Sequence, residues 1–231
     1  GENIKETING KWRKRMVIAH LYYDLYNLYG NDGNIKILVN KLKELEEDVE
    51  LKNISVNDNL NFNEYDLIYM GSGLEEYQEI AIDNLKKYIE DIKNAIENNK
   101  MFLITGNAID LFGKKIIGDK SIPTLGIFDY TSKMVPRIRK NIKYKADFLD
   151  NPILGYENHS CIIENNNSYL WEEEGIKYKN FYGTYVEGPV LVRNPEFIKY
   201  IISNLIKDKT KLDKIDLELE NQAYNAFLNM Y

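Results

Sequence analysis

MFLITGNAIDLFGK, residues 101–114, decides the fold. Residues 101–105 carry no charge and read as a strand buried on both faces. Gly106 and Asn107 then make a sharp turn, and the next residues return to helical spacing. A strand, a glycine-containing turn and a helix start form the layout on which α/β enzymes mount a nucleophile. The turn lifts one side chain clear of the backbone, while the helix N–H groups face the bound substrate. Here the turn is Thr105, Gly106, Asn107, Ala108, with neither cysteine nor serine at its apex.

Working outward, the first half alternates strands and helices. Residues 16–23, MVIAHLYY, form a first strand, and Ile35, Leu38, Val39, Leu42 and Leu45 follow at helical spacing. Residues 49–56 alternate apolar and polar like a second strand. Residues 65–70, YDLIYM, run as a third strand into Gly71, Ser72 and Gly73. One long helix is expected next, with Ile80, Leu85, Tyr88, Ile89, Ile92 and Ile96 as its apolar face, and 101–105 is the fourth strand. This order predicts a mostly parallel sheet covered on both faces. Between 122 and 168 the pattern changes to short strands and turns punctuated by Pro123, Pro136, Pro152 and Gly155. A strand at 182–185, a helix at 195–206 and a last helical stretch within 208–231 complete the chain. The expected fold is therefore three-layer α/β, with a mostly parallel central sheet and an antiparallel excursion in the second half. Residues 1–14 are polar with a basic end and read as an arm; residues 15–231 read as one domain.

Bulk properties narrow the function. The chain has 231 residues, 44% of them apolar and 29% charged, with a net charge of −6, which disfavours a generic nucleic-acid binder. No apolar run is long enough to span a membrane and no signal-peptide core is visible, so a soluble cytoplasmic protein is expected. One cysteine excludes an internal disulfide or a cysteine-based zinc site, and two histidines offer little for a metal; neither metal nor cofactor is expected.

Three glycine-bearing turns fall at strand ends, where open α/β sheets bind ligands. They are Gly71-Ser72-Gly73, Gly106-Asn107, and residues 183–189, GTYVEGP. Each lets backbone N–H groups approach a ligand closely, although any one of them also serves as a plain tight connection. Five segments together resemble one family. LYYDLYNLYGNDGN (21–34) is similar to the N-terminal signature of class I glutamine amidotransferases of the cobyric acid synthase type. DLIYMGSGLEEYQE resembles that family's glycine-rich oxyanion strand, and ITGNAIDLFGK its nucleophile turn, normally Cys-Gly-Gly-Tyr-Gln-Leu-Leu-Gly-Lys. LGYENHS (154–160) resembles its Gly-Phe-Glu-Asn-His loop, and FYGTYVEGPVLVRNP its Gly-Thr-Tyr-Leu-His-Gly-Pro segment. The order and wording look most like the glutaminase subunit of lipid II isoglutaminyl synthase, across 16 to about 206.

The resemblance implies a cysteine that attacks the glutamine side-chain carbonyl, and a histidine that lowers the thiol pKa and carries the proton. Counted back from Gly113-Lys114, the cysteine position is Gly106; counted from Gly183-Thr184-Tyr185, the histidine position is Glu187. Both are substituted, and loss of members of such a cooperative set forfeits most of the rate. Gly71, Ser72, Gly73, Asn107 and Arg137 are the expected ligand-pocket residues, with Arg139 an equal candidate for a substrate carboxylate; solvated surface charge is the plain reading of either arginine. Cys161 is the one thiol, and its plain reading is a partly buried structural cysteine. His159 reads as holding its loop, and His20 as a core or crevice-edge residue. Asp24 and Asn27 would line the cleft or a partner interface, or cap the next helix.

Three functions follow as expectations. The first is a degenerate amidotransferase-like subunit that binds glutamine or another small molecule, or docks on the Mur ligase-like ATP-dependent synthetase that the resemblance implies. The second is a working glutaminase subunit for cell-wall or corrinoid amidation that uses a variant site, with Cys161 the obvious thiol. The third is a non-covalent enzyme with Glu187 as acid or base.

Overall fold

A computed structural model describes residues 15–172 and 174–230; the arm expected at 1–14 lies outside the described residues. The first strand, β1 (Met16–Leu21), is buried throughout, because both faces are covered. Val17, Ala19 and Leu21 point into one core and Met16 and Ile18 into the other, as period-2 alternation requires. The chain returns through α1 (Asp32–Glu44), which buries Ile35, Leu38, Val39 and Leu42. β2 (Val49–Ile54) then pairs parallel to β1 on one side, and β3 (Leu67–Met70) on the other.

The expected long helix is broken. It comprises a 3₁₀ turn (Glu75–Tyr77), α2 (Gln78–Leu85), a second 3₁₀ turn (Lys86–Tyr88) and α3 (Ile89–Glu97). Its buried face is Ala81, Ile82, Leu85, Ile92, Ala95 and Ile96, and Ile80 is exposed. The two tighter turns rotate the helical face, so one 3.6-residue period does not hold from Ile80 to Ile96.

β4 (Met101–Thr105) pairs parallel to β3, and a 3₁₀ helix (Gly106–Phe112), not an α-helix, follows it. The excursion is then longer than its prolines suggest. β5 (Lys115–Ile117) and β6 (Ser121–Pro123) are short, but β7 (Thr131–Tyr144) and β8 (Ile153–Glu164) form a long antiparallel hairpin. Pro136 is tolerated because it falls in the register shift between Met134 and Ile138, where no ladder hydrogen bond is lost. The chain re-enters the main sheet through β9 (Ile176–Tyr178) and β10 (Phe181–Thr184).

The central sheet has order β2-β1-β3-β4-β10-β9, parallel except for the β9 edge. Immediately after β10 the chain crosses to a second sheet as β11 (Val186–Glu187), pairing antiparallel with Glu157 and Tyr156 of β8. That sheet has order β11-β8-β7-β5-β6. Two short helices, α4 (Val190–Arg193) and α5 (Pro195–Leu205), cover the α1 face. Pro195 occupies the first helical position, where its missing N–H costs nothing. Buried Asn194 receives the Leu154 N–H at 2.8 Å and donates to the Leu154 and Val190 carbonyls at 2.9 and 2.7 Å. α6 (Glu218–Leu228) docks by the Tyr224 hydroxyl, which donates to the Pro152 carbonyl at 2.7 Å. Among the described residues no helix is long and apolar enough to cross a membrane.

Candidate functional site

β3, β4 and β10 are parallel neighbours, with Met70 beside Ile104 and Thr105 beside Thr184. Their carboxyl ends therefore bring residues 71–73, 106–107 and 185–187 side by side, the place where parallel sheets bind ligands. A cavity of about 360 Å³ opens there, lined by Ser72, Gly73, Asn107, Arg137 and Glu187 among others. Gly71 is the exception among the expected pocket residues. It packs under the 26–31 loop, where an added Cβ would lie 2.9 Å from Asn31 Cβ and 3.0 Å from the Tyr26 carbonyl oxygen. Close backbone packing, not ligand contact, is what requires glycine there.

Gly106 keeps the left-handed backbone of a nucleophile mount, with φ +63°. Its side-chain place is already filled. An ideal Cβ would fall 1.5 Å from Ser72 Oγ and 2.6 Å from Glu187 Oε1. Ser72 Oγ donates to Glu187 Oε1 at 2.5 Å and accepts the Asn107 backbone N–H at 3.3 Å. The Asn107 side chain turns back on the glycine loop, accepting the Gly73 N–H at 3.0 Å and donating to the Gly73 carbonyl at 2.8 Å. The Gly73 and Asn107 backbone N–H groups at the cavity are thus occupied by this chain's own side chains.

Glu187 is buried at 3% exposure, and burial pushes its carboxyl up to about 7 against the hydrogen bond from Ser72. The Asn31 amide lies near enough to favour the carboxylate, and His159 and Arg137 act in the same direction. No well-aligned hydrogen bond joins Asn31 to it, however, and among the described residues Glu187 Oε2 and both Asn31 amide atoms have no hydrogen-bond partner. A buried carboxyl that is half neutral near pH 7 is a weak counter-ion for an ammonium but well poised to exchange a proton.

The structure separates the two arginines. Arg137 lines the cavity, donating to Glu75 Oε1 at 2.8 Å and Asn158 Oδ1 at 3.3 Å; Arg139 reaches Asn158 Oδ1 at 3.4 Å from outside it. Cys161 lines the same cavity, a placement that its sequence neighbours did not reveal. Burial pushes its thiol well up, and the Asp110 carboxylate pushes it further. His159 stacks on Tyr185 with ring centroids 4.1 Å apart, while its Nδ1 meets the Cys161 carbonyl at 2.6 Å and its Nε2 lies 3.3 Å from Glu157 Oε2. The segment expected as a loop is part of strand β8, and the His159 ring ties Glu157 to Cys161 within that strand.

His20 is a core residue whose imidazole burial pushes down to about 4. Asn27 caps the next helix, accepting the Asp32 N–H at 2.9 Å, and Asp24 accepts the Ser55 hydroxyl at 2.8 Å. Sequence reading missed Asp110. It is buried in the cavity wall, accepts the Tyr185 hydroxyl at 2.5 Å, and is pushed up to about 6 by burial. An acidic residue inside the apolar run 108–112 was its one visible signal.

Strand order and the crevice at three adjacent strand ends define a class I glutamine amidotransferase-like fold. A crystal structure of a glutamine amidotransferase matches with TM-score 0.54 and 12% identity, over 81% of this chain and 98% of its own. A glutamine amidotransferase from Thermotoga maritima matches with TM-score 0.53 and 14% identity, over 91% and 92%. Residues 17–195 match the CobB/CobQ-like glutamine amidotransferase domain, and the chain belongs to that family. Two relatives bear the name lipid II isoglutaminyl synthase (glutamine-hydrolyzing) subunit GatD. The one from Streptococcus pneumoniae is 30% identical over 219 residues, 87% of this chain and 84% of its own. The one from Staphylococcus aureus is 29% identical over 232 residues, 93% and 95%.

Proposed function

We propose that this chain is a glutaminase-type subunit that no longer hydrolyses glutamine at the amidotransferase turn and acts by binding. Its partner in this reading is a Mur ligase-like ATP-dependent synthetase, and residues 15–231 act as one unit. The observation that carries the reading is the Ser72 hydroxyl lying where a residue-106 side chain would begin, 1.5 Å from the ideal Cβ. The occupied donors at Gly73 and Asn107 support it, since amide attack needs a stabilised oxyanion. Hydrolysis through Cys161 is disfavoured by a thiol that burial and Asp110 hold in its protonated form.

A second reading rests on Glu187 alone. Its carboxyl, near 7 in a crevice, suits a non-covalent acid–base reaction on a small ligand. Glutamine hydrolysis measured with and without the candidate synthetase tests the first reading; Glu187→Gln that abolishes glutamine-independent turnover would favour the second.

A further inference from the structure

Ser72 and Glu187 together do more than close the old nucleophile position. Ser72 lines the cavity, and its Oγ donates a 2.5 Å hydrogen bond to the carboxyl at the position where the resemblance puts the family's base. It therefore stands close to where a thiol at residue 106 would have stood, with a proton acceptor already aligned. We propose that Ser72 and Glu187 form a nucleophile–base pair that accepts acyl groups from small carboxylic esters entering this cavity. The inference goes beyond the proposed function and leaves it intact, because esters and carboxamides make different demands. An amide must have its nitrogen protonated and its oxyanion held, and the Gly73 N–H is tied to Asn107 Oδ1. An ester of a weakly basic alcohol is more electrophilic and expels its leaving group as an anion, so acylation of Ser72 needs no proton donor at the leaving atom.

The step balances within the pair. Ser72 Oγ forms a bond to the acyl carbon while its proton passes to Glu187 Oε1. The carbon–oxygen bond of the ester then breaks, the alcohol leaves as its anion, and Glu187 gives that anion the proton taken from Ser72. Water gives a proton to Glu187, attacks the acyl-serine and releases the carboxylic acid; the proton returns to Ser72. The net change is ester plus water to acid plus alcohol. Glu187 acts as base only when ionised, so acylation rises with pH through about 7. Burial sets this titration, opposed by Ser72 on the glycine loop, Asn31 before α1, His159 on β8 and Arg137 on β7.

The test uses p-nitrophenyl acetate with the native chain, Ser72→Ala and Glu187→Gln, reading p-nitrophenol release and mapping acetyl adducts by mass spectrometry. Ser72→Gly serves as a second variant, and circular dichroism confirms that each is folded. The expected result is an acetyl adduct on Ser72, release lost in both Ser72 variants, and a rate roughly 10²-fold lower in Glu187→Gln with no rise through pH 7. Release that is equal in folded Ser72 variants, or adducts confined to Cys161 and lysines, overturns the proposal. Ammonia from glutamine is measured in the same samples; its appearance would refute the proposed function and leave the Ser72 adduct to be judged separately.

Discussion

A side chain on Gly106 would put a carbon where Ser72 keeps its oxygen. The ideal Cβ lies 1.5 Å from Ser72 Oγ, 2.6 Å from Glu187 Oε1 and 2.8 Å from Ser72 Cβ. Gly106→Ala therefore meets two costs. The left-handed backbone at φ +63° disfavours an L-residue by about 1–2 kcal/mol. Displacing a buried serine and its carboxyl partner adds about 1–3 kcal/mol of overpacking. The sum, about 2–5 kcal/mol, lowers the melting temperature by roughly 4–20 °C in a chain of this size. Ser72→Gly removes the serine's share of the second cost and leaves the first, together with the 2.6 Å contact to Glu187 Oε1. A double-mutant cycle over Gly106→Ala and Ser72→Gly should therefore show a favourable coupling of about 1–3 kcal/mol. The assay is equilibrium unfolding in denaturant of the native chain, both single variants and the double variant at one pH. A Gly106→Ala protein as stable as the native one, or strictly additive single effects, would refute the claim that Ser72 fills the nucleophile position.

Three further outcomes are expected. Gly106→Cys with Glu187→His should resist labelling at residue 106 by a glutamine-mimicking electrophile, and adding Ser72→Gly should permit it; mass spectrometry of labelled peptides decides. Burial raises Glu187 to about 7, so its folded-state advantage is complete below about 4.5 and is lost as pH rises through 7. Between those pH values the native chain should lose up to about 3 kcal/mol more stability than Glu187→Gln, and parallel unfolding curves would expose the reasoning. Asn194→Ala removes a side chain that satisfies one buried N–H and two carbonyls, so it should cost about 2–4 kcal/mol in a denaturant titration.

The parallel half of the fold was legible because its central strands β3 and β4 are uncharged, β2 alternates apolar and polar, and α1 keeps one apolar face. Strand 101–105 matches β4 residue for residue, since a strand buried on both faces leaves no other pattern. The helix after Gly73 misled at Ile80, because two 3₁₀ turns shift the phase of the buried face without any glycine or proline to mark them. The β7–β8 hairpin was hidden by Pro136, whose place in a register shift is visible only from the partner strand. At the site, the local order of motifs pointed to Ser72, Gly73, Asn107, Arg137 and Glu187, which line one cavity, but it misplaced Gly71 and could not say what touches what. That Ser72 reaches into the space of Gly106, or that Asn107 folds back onto Gly73, depends on how three separate strands align their ends. Asp110 and Cys161 share a wall of the cavity although 51 positions separate them, a convergence set by the second sheet.

The most direct measurement is ammonia release from glutamine by the native chain, alone and with a Mur ligase-like synthetase present, using enzyme-coupled detection and the Ser72→Ala protein as control. A chain whose nucleophile position is filled by Ser72 and whose oxyanion donors are occupied gives no glutamine-dependent ammonia above the control in either setting. Sustained, glutamine-dependent release by the native chain, with or without the partner, would contradict it.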